Sequence, residues 1–325
     1  MKPSFLFYAL PFLLLCSCFK NIKAQSGIPY EDARNNITFS ELKFDALNHQ
    51  NTTAPKIILN KVQTSAFKDI RFLGPYNCAG RTRALLIDKV DSNLMFAGGT
   101  SGGLFRSIDK ANTWWPVNDQ STGLNVTCIE QNPFDANIIY YGTGETKNVK
   151  IKSKGTGIYK STDLGLTFNN LPATNNANFY QINTIRHSLL DSNTFWVTTT
   201  DDGCYKTTDG GNTFQRVFKN AYPLTDIECF PDGKVLITCT YKGIYISPSG
   251  DSGTFVRQTQ GLPTGNFSRV EATYCDSFPD VLYAAFADSV VGYLSGLAGV
   301  YKSSNGGQSW TTVTNPTQPA FYPFA

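Results

Sequence analysis

Histidine is almost absent: the chain holds two, His49 and His187. That excludes a histidine-based metal cluster, and any Ser-His-Asp triad would have to use His187, which sits in an apolar strand pattern where packing is the ordinary role. The metal, phosphate and redox signatures are missing as well. There is no Cys-x-x-Cys pair, no Gly-x-x-x-x-Gly-Lys phosphate cradle and no EF-hand loop, so no cofactor and no metal are expected. Charge is sparse, at 16% of residues with a formal net charge of +3. Nothing in that balance calls for nucleic acid or a membrane surface as partner. Helix-period segments are nearly lacking, while Gly, Asn, Thr and aromatics are plentiful, which points to an all-β protein. The one long apolar run, Phe5 to Leu15, is too short for a stable membrane span.

What the chain does have is a repeat. Gly103-Leu-Phe-Arg-Ser…Trp114, Gly157-Ile-Tyr-Lys-Ser…Phe168, Gly203-Cys-Tyr-Lys-Thr…Phe214, Gly243-Ile-Tyr-Ile-Ser…Phe255 and Gly299-Val-Tyr-Lys-Ser…Trp310 follow one plan. The leading glycine and closing aromatic are 11 apart in four copies and 12 in the fourth, and successive leading glycines are 54, 46, 40 and 56 apart. Self-similarity at that period signals blades or solenoid coils. Each unit opens as a half-buried strand. It then reverses through a turn whose Ser/Thr and Asp side chains accept local backbone N–H groups and whose Gly supplies a positive φ. Two further strands precede each hairpin: Thr82 to Asp88 and Leu94 to Gly98, Val126 to Gln131 and Ile138 to Gly142, Ile182 to His187 and Thr194 to Thr199. Asn132-Pro-Phe-Asp135 and Pro231-Asp-Gly233 supply breakers between strands. Four antiparallel strands per unit make one propeller blade.

The turn Ser-x-Asp-x-Gly-x-Thr/Ser-Trp/Phe resembles the Asp-box, or BNR repeat, of secreted β-propellers such as sialidases, xyloglucanase-type glycoside hydrolases and the luminal domain of sortilin. Ser161, Asp163, Gly165 and Phe168 match it, as do Thr207, Asp209, Gly211 and Phe214. The first copy keeps Ser107, Asp109 and Trp114 but has Ala111 for Gly. The fifth keeps Ser303, Gly307 and Trp310 but has Asn305 for Asp, and the fourth, with Asp251 and Phe255, carries an insertion. The resemblance implies an all-β propeller with five visible blades, about 80–119, 125–172, 179–218, 224–257 and 266–315, within a repeat region 76–325. The two prolines of Thr317 to Phe324 suit no closing strand, so an incomplete ring is expected.

Met1 to Ala24 is read as an export signal, with Lys2 ahead of the apolar run. Leu15-Cys-Ser-Cys18 is also compatible with lipidation at Cys16 or Cys18, so cleavage and a lipid anchor both stay open, and either places the protein in a secreted or cell-surface setting. Residues 25–75 form a polar leader. Six cysteines remain, Cys78, Cys128, Cys204, Cys229, Cys239 and Cys275, too few for a dense disulfide framework. With Asp232-Gly233 as hairpin turn, Cys239 is placed opposite Asp226, which argues against a Cys229–Cys239 bridge.

Function is less marked. The loops from strand 2 to 3 and from strand 4 to 1 share one face of a propeller. There the sequence offers carboxylates Glu145, Asp201, Asp202, Asp226 and Asp288, of which Glu145, Asp202 and Asp226 are the catalytic candidates, each with the ordinary expectation of a solvated loop charge. Arg81, Arg83 and Arg269 lie near the starts of innermost strands. Two insertions, Glu145 to Lys154 with Lys147, Lys150 and Lys152, and Ala287 to Ala298 with Tyr293, form binding candidates on the same face. Neither the arginine triad of sialidases nor the catalytic segments of xyloglucanases is found. The expectation is a binding or adhesion module for a protein or glycan, with a carbohydrate-active enzyme as the alternative.

Overall fold

Alternating apolar positions bounded by glycine turns become short strands here because each residue pair presents one side chain to each face of a sheet. The computed structural model describes residues 81–117, 121–145, 153–288 and 296–314. The chain separates into units Met1–Tyr76 and Asn77–Ala325, and every described residue lies in the second. The signal segment, the leader, Cys16, Cys18, Cys78, Lys147, Lys150, Lys152 and Tyr293 lie outside the described residues.

Five antiparallel sheets of four strands follow one another. The first is β1 (Thr82–Ile87), β2 (Met95–Gly99), β3 (Gly103–Ser107) and β4 (Trp115–Pro116). The second is β5 (Val126–Gln131), β6 (Ile139–Thr143), β7 (Ile158–Ser161) and β8 (Asn169–Asn170). In the third are β9 (Ile182–His187), β10 (Phe195–Thr199), β11 (Gly203–Thr207) and β12 (Gln215–Phe218). β13 (Leu224–Cys229), β14 (Val235–Cys239), β15 (Gly243–Ser247) and β16 (Val256–Arg257) make the fourth. β17 (Phe267–Cys275), β18 (Phe278–Asp288), β19 (Leu297–Ser303) and β20 (Thr311–Thr314) make the fifth. The first strands of successive sheets pack side by side in the order β1, β5, β9, β13, β17. This is a β-propeller, with those five strands innermost.

The core is a series of seams between blades. Ala84, Phe96 and Leu104 of the first blade meet Val126, Ile129 and Tyr141 of the second. Tyr140 and Ile158 of the second meet Ile182, Ile185 and Phe195 of the third. Trp196 and Val217 meet Leu224, Ile227 and Ile237, and Leu236 and Ile244 meet Phe267, Val270 and Phe286. Each such side chain contributes roughly 1.5–3 kcal/mol by leaving water.

One irregularity recurs in every innermost strand: the pairing register slips at its second residue. The displaced residues are Arg83, Thr127, Asn183, Thr225 and Ser268. A bulge re-aims its side chain, and in three blades that side chain bridges the seam to a main-chain carbonyl. Thr127 Oγ1 donates to the Ile182 carbonyl at 2.7 Å, Asn183 Nδ2 to Leu224 at 2.6 Å and Thr225 Oγ1 to Val270 at 2.6 Å. The turn closes over three residues, Pro231-Asp-Gly233, and so sets Asp226 opposite Thr238, one residue off the expected Asp226–Cys239 pairing, and the bulge at Thr225 then carries Cys239 on to Leu224. Cys128, Cys204, Cys229, Cys239 and Cys275 are all free thiols.

The recurrent turns hold themselves together. Ser161 Oγ accepts from Gly165 N at 2.8 Å, while the Asp163 carboxylate accepts from Thr167 N at 2.9 Å and Thr167 Oγ1 at 2.6 Å. Thr207, Asp209, Gly211 and Thr213 repeat this geometry, as do Ser107, Asp109, Ala111 and Thr113. In the fifth, Asn305 Oδ1 accepts from Ser309 N at 3.0 Å in the aspartate's stead. The fourth departs: Ser247 Oγ contacts Thr254 Oγ1 directly, and Asp251 instead accepts from Lys206 of the third blade at 2.8 Å. With the extra residue the Asp251 carbonyl stays in the turn, accepting from Thr254 Oγ1 at 2.6 Å, while its carboxylate is carried across the seam. Trp114 and Trp310 are buried, and Phe168, Phe214 and Phe255 pack their rings against Tyr141, Phe179 and Phe218.

Gly165 has φ +72° and a Cβ there would stand 2.3 Å from Phe96 Cζ of the first blade. Gly165→Ala is therefore expected to cost roughly 1–2 kcal/mol for the left-handed backbone and roughly 1–3 kcal/mol more for the overlap. Urea denaturation checks it; a change below the backbone share would mean that the seam yields there.

Candidate functional site

The innermost strands carry charge where apolar residues would be usual. Glu130 stands on β5, Arg186 on β9, Asp226 and Glu228 on β13, Arg269 and Glu271 on β17. Period-2 alternation sets them at every second residue. Arg186 joins three blades: Nη1 lies 3.2 Å from Glu130 Oε2 and Nε 3.5 Å from Glu228 Oε2. Burial alone would lower its pKa, but the Glu130 and Glu228 charges outweigh burial and raise it. Burial and the neighbouring Glu271 and Glu228 charges push Asp226 well above the usual carboxylate range. Burial pushes Glu228 up to about 7 against the pull of Arg186. Arg269 pairs with Glu271 on its own strand.

Beside this cluster, Glu145 is clasped by two arginines of the first blade: Arg81 Nη2 at 2.7 Å on one oxygen and Arg83 Nη1 at 3.0 Å on the other. The backbone fixes the acid. Glu145 and Ser153 exchange both N–H···O bonds, at 3.0 and 3.1 Å, and Gly144 before it has φ +104°, where a Cβ would collide with the Tyr180 carbonyl at 1.9 Å. Arg83 also reaches Asn183 Oδ1 at 3.5 Å. The expected solvated loop charges are thus absent at two positions. Glu145 and Asp226 are both buried, the first in ion pairs and the second inside a strand.

Asp202 belongs elsewhere. Its partners are the Tyr205 hydroxyl, Arg216 at 3.0 Å and Lys219 at 2.7 Å, all of its own blade, which together hold its pKa down against burial. Asp201 lines a pocket of about 280 Å³ with Lys154, Ala177, Asn178, Tyr180 and Gln181. Asp288 ends β18, exposed. His187 is wedged between the rings of Tyr140 and Phe195, and burial drives it down to about 3. Neither of its nitrogens has a hydrogen-bond partner. It is a neutral packing residue and not the base of a triad.

Sequence reasoning passed over Glu130, Arg186, Glu228 and Glu271. The available signal was charge inside strands bounded by buried aliphatics, as in Leu224-Thr-Asp-Ile-Glu-Cys229. Among the described residues no group of three His, Cys, Asp or Glu is arranged to hold a metal, and no helix is long and apolar enough to cross a membrane. Chemically, the cluster offers one carboxyl group, Glu228, that titrates at about 7, and a second, Asp226, pushed above the usual carboxylate range, beside a fixed guanidinium.

No family model matches the chain. It is similar to the oligoxyloglucan-reducing end-specific xyloglucanase of Emericella nidulans, 23% identical over 308 residues, covering 83% of this chain and 37% of that protein. It is also similar to a xyloglucanase of Hypocrea jecorina, 27% identical over 235 residues, covering 68% of this chain and 24% of that one. The chain therefore spans little more than a third of the first curated relative and a quarter of the second. Among solved structures, an ancestral GH74 enzyme superposes with TM-score 0.58 at 18% identity, over 75% of this chain and 34% of its own. The GH74 enzyme of Niastella koreensis gives 0.55 at 19%, over 71% and 38%. YCF48 bound to a D1 peptide gives 0.51 at 17%, over 75% and 71%. What this chain shares with all three structures is the β-propeller fold.

Proposed function

We propose that the chain is the propeller of an exported Asp-box glycoside hydrolase of the xyloglucanase type, with the Arg186 cluster as its acid–base centre. The likeness to xyloglucanases across 83% of the chain carries this reading. It favours the carbohydrate-active alternative over the binding module. Glycoside hydrolysis uses one carboxylic acid that keeps its proton near neutral pH and one carboxylate opposite it. Glu228, held up to about 7, has the character of the acid, with Asp226 beside it on the same strand. Arg186 supplies fixed positive charge against which a carboxylate is stabilised.

The test is hydrolysis of xyloglucan, mixed-linkage glucan and sialosides by the full encoded polypeptide and by Asp226→Asn, Glu228→Gln and Glu145→Gln variants. Xyloglucan turnover is expected to fall by roughly 10²–10⁴-fold on losing the proton donor, with retained substrate binding. Turnover indifferent to both Asp226→Asn and Glu228→Gln would remove the cluster from the chemistry.

A second reading rests on a specific observation: Glu145, Glu130 and Glu228 all lie in ion pairs with arginines, which suits a rigid binding ring. YCF48, of the same fold, was solved with a peptide bound. No turnover on any glycan, with binding to a peptide or glycan retained, would establish that reading in place of the first.

A further inference from the structure

One backbone bond recurs where an innermost strand begins. Thr100 N donates to the Arg81 carbonyl at 2.9 Å, Gly144 N to Asn125 at 3.0 Å, Thr200 N to Gln181 at 3.0 Å and Thr240 N to Pro223 at 2.9 Å. The bond makes the residues around it equivalent from blade to blade. Ser101, Glu145, Asp201 and Tyr241 share one place, following the donor, and Arg81, Asn125, Gln181 and Pro223 share the other.

In the second blade both places are satisfied by protein. Glu145 is clasped by Arg81 and Arg83, and the Asn125 amide donates to Ser153 Oγ at 2.8 Å and the Lys154 carbonyl at 3.0 Å. In the fourth blade they are filled by rings: Tyr241 meets Tyr222 edge-on, centroids 5.1 Å apart, beside Pro223. The third blade holds Asp201 and Gln181 instead, and these two line the pocket of about 280 Å³ together with Lys154, Ala177, Asn178 and Tyr180. Gln181 is 8% exposed and its Oε1 has no hydrogen-bond partner. A buried acceptor in that state is costly, and a donor brought in from outside relieves the cost. The walls are fixed in advance. Gly155 N donates to the Tyr180 carbonyl at 2.8 Å, Asn125 pins the Lys154 carbonyl, and Asn176 Oδ1 accepts from Asn178 N at 3.1 Å.

The lining selects its occupant. Lys154 and Asp201 cancel in charge, so neither a net anion nor a net cation is favoured. Gln181 Oε1 and Asp201 accept hydrogen bonds, whereas Lys154 donates. A hydroxyl group answers both needs without charge. The Tyr180 ring, with Lys154 Nζ 5.2 Å from its centroid, adds an apolar surface for C–H groups. The volume stands at the small end of ligand pockets, which run from roughly 300 to 1,000 Å³, and so admits one ring and not a chain. We propose that this pocket holds a single neutral sugar ring, whose hydroxyls donate to Gln181 Oε1 and Asp201 and accept from Lys154. The proposal rests on the carbohydrate reading and adds to it a holding site made of residues outside the Arg186 cluster.

Saturation-transfer NMR on the full encoded polypeptide tests this, with glucose, galactose and xylose as probes and leucine as a zwitterion of similar size. Expected is transfer to the ring protons of a sugar. Gln181→Leu should weaken that binding roughly tenfold, the share of one hydrogen bond, and Asp201→Asn by at least as much, since its acceptor is charged. Asp226→Asn and Glu228→Gln should leave it unchanged, because neither residue lines the pocket. Asp201 is exposed, so its variant reads the site without disturbing the core, and circular dichroism checks the fold of Gln181→Leu. Transfer to leucine in place of the sugars, no transfer to any sugar, or an affinity indifferent to both pocket substitutions would each overturn the proposal. Sugar held here with no turnover of any glycan would remove the acid–base centre and leave this site standing; turnover with no sugar held here would do the reverse.

Discussion

Arg186→Ala is expected to destabilise the propeller by about 3–5 kcal/mol at pH 8, the usual consequence of removing one partner from a buried ionic cluster, and by much less at pH 5. The substitution leaves Glu130 and Glu228 of two blades without their common cation, next to Asp226. Protonation relieves that repulsion, so acid reduces the cost. The wild-type protein has the same dependence in weaker form. Glu228 has a folded pKa of about 7, raised from 4.5 by burial. Its favourable contribution is therefore present in full below the unfolded value and is lost as pH rises through about 7. The size is of order 3–4 kcal/mol at about 1.4 kcal/mol per pKa unit over the rise from 4.5 to about 7, and Glu228→Gln should flatten the slope. Urea titrations of the three proteins at pH 5 and pH 8 measure this. An Arg186→Ala cost equal at both pH values would show that the carboxylates do not need the guanidinium for their charge.

Trp196→Ala should cost about 3–5 kcal/mol, as large aromatic truncations in a core do. The indole fills the seam between third and fourth blades and its N–H serves the Gly250 carbonyl, which the variant leaves without its donor. Trp196→Phe separates the two parts, keeping most of the packed area and losing only the hydrogen bond, for roughly 1 kcal/mol. Tyr283→Ala in the 1–325 chain is the matched control at the same register position. Being exposed, it should stay within about 0.5 kcal/mol. Thermal melts of the three variants rank them, and a Tyr283→Ala loss as large as that of Trp196→Ala would mean that the fifth-blade ring is packed in solution.

Blades and strand positions were legible in the sequence because the glycine-to-aromatic spacing and the alternation are local. Val126–Gln131 and Ile182–His187 run to the expected residue. The charges on the innermost strands were not legible. Nothing local distinguishes Asp226, buried in a strand, from Asp202 on an exposed turn. Glu145 and Arg81 are 64 positions apart, so their pairing is a product of the packing of the second blade on the first alone. The bulge at Thr225 was equally invisible, since threonine there fits a regular strand, and so was the third turn residue, Pro231, which moved Asp226 from Cys239 to Thr238. Asp251 looked like the other turn aspartates because the motif tolerates an inserted residue on paper, whereas the backbone does not.

The bulges have an evolutionary consequence. At Thr127, Asn183 and Thr225 the bond across the seam ends on a main-chain carbonyl, of Ile182, Leu224 and Val270 in turn, and every residue type provides that acceptor. The donor blade thus makes no demand on its neighbour's side chain at this point. A duplicated blade arrives with its own donor and finds its acceptor ready-made, so this part of the joint survives while the charged residues one and three places along diverge. Rings of this kind are extensible by copying, and their axes are free to acquire new chemistry one blade at a time.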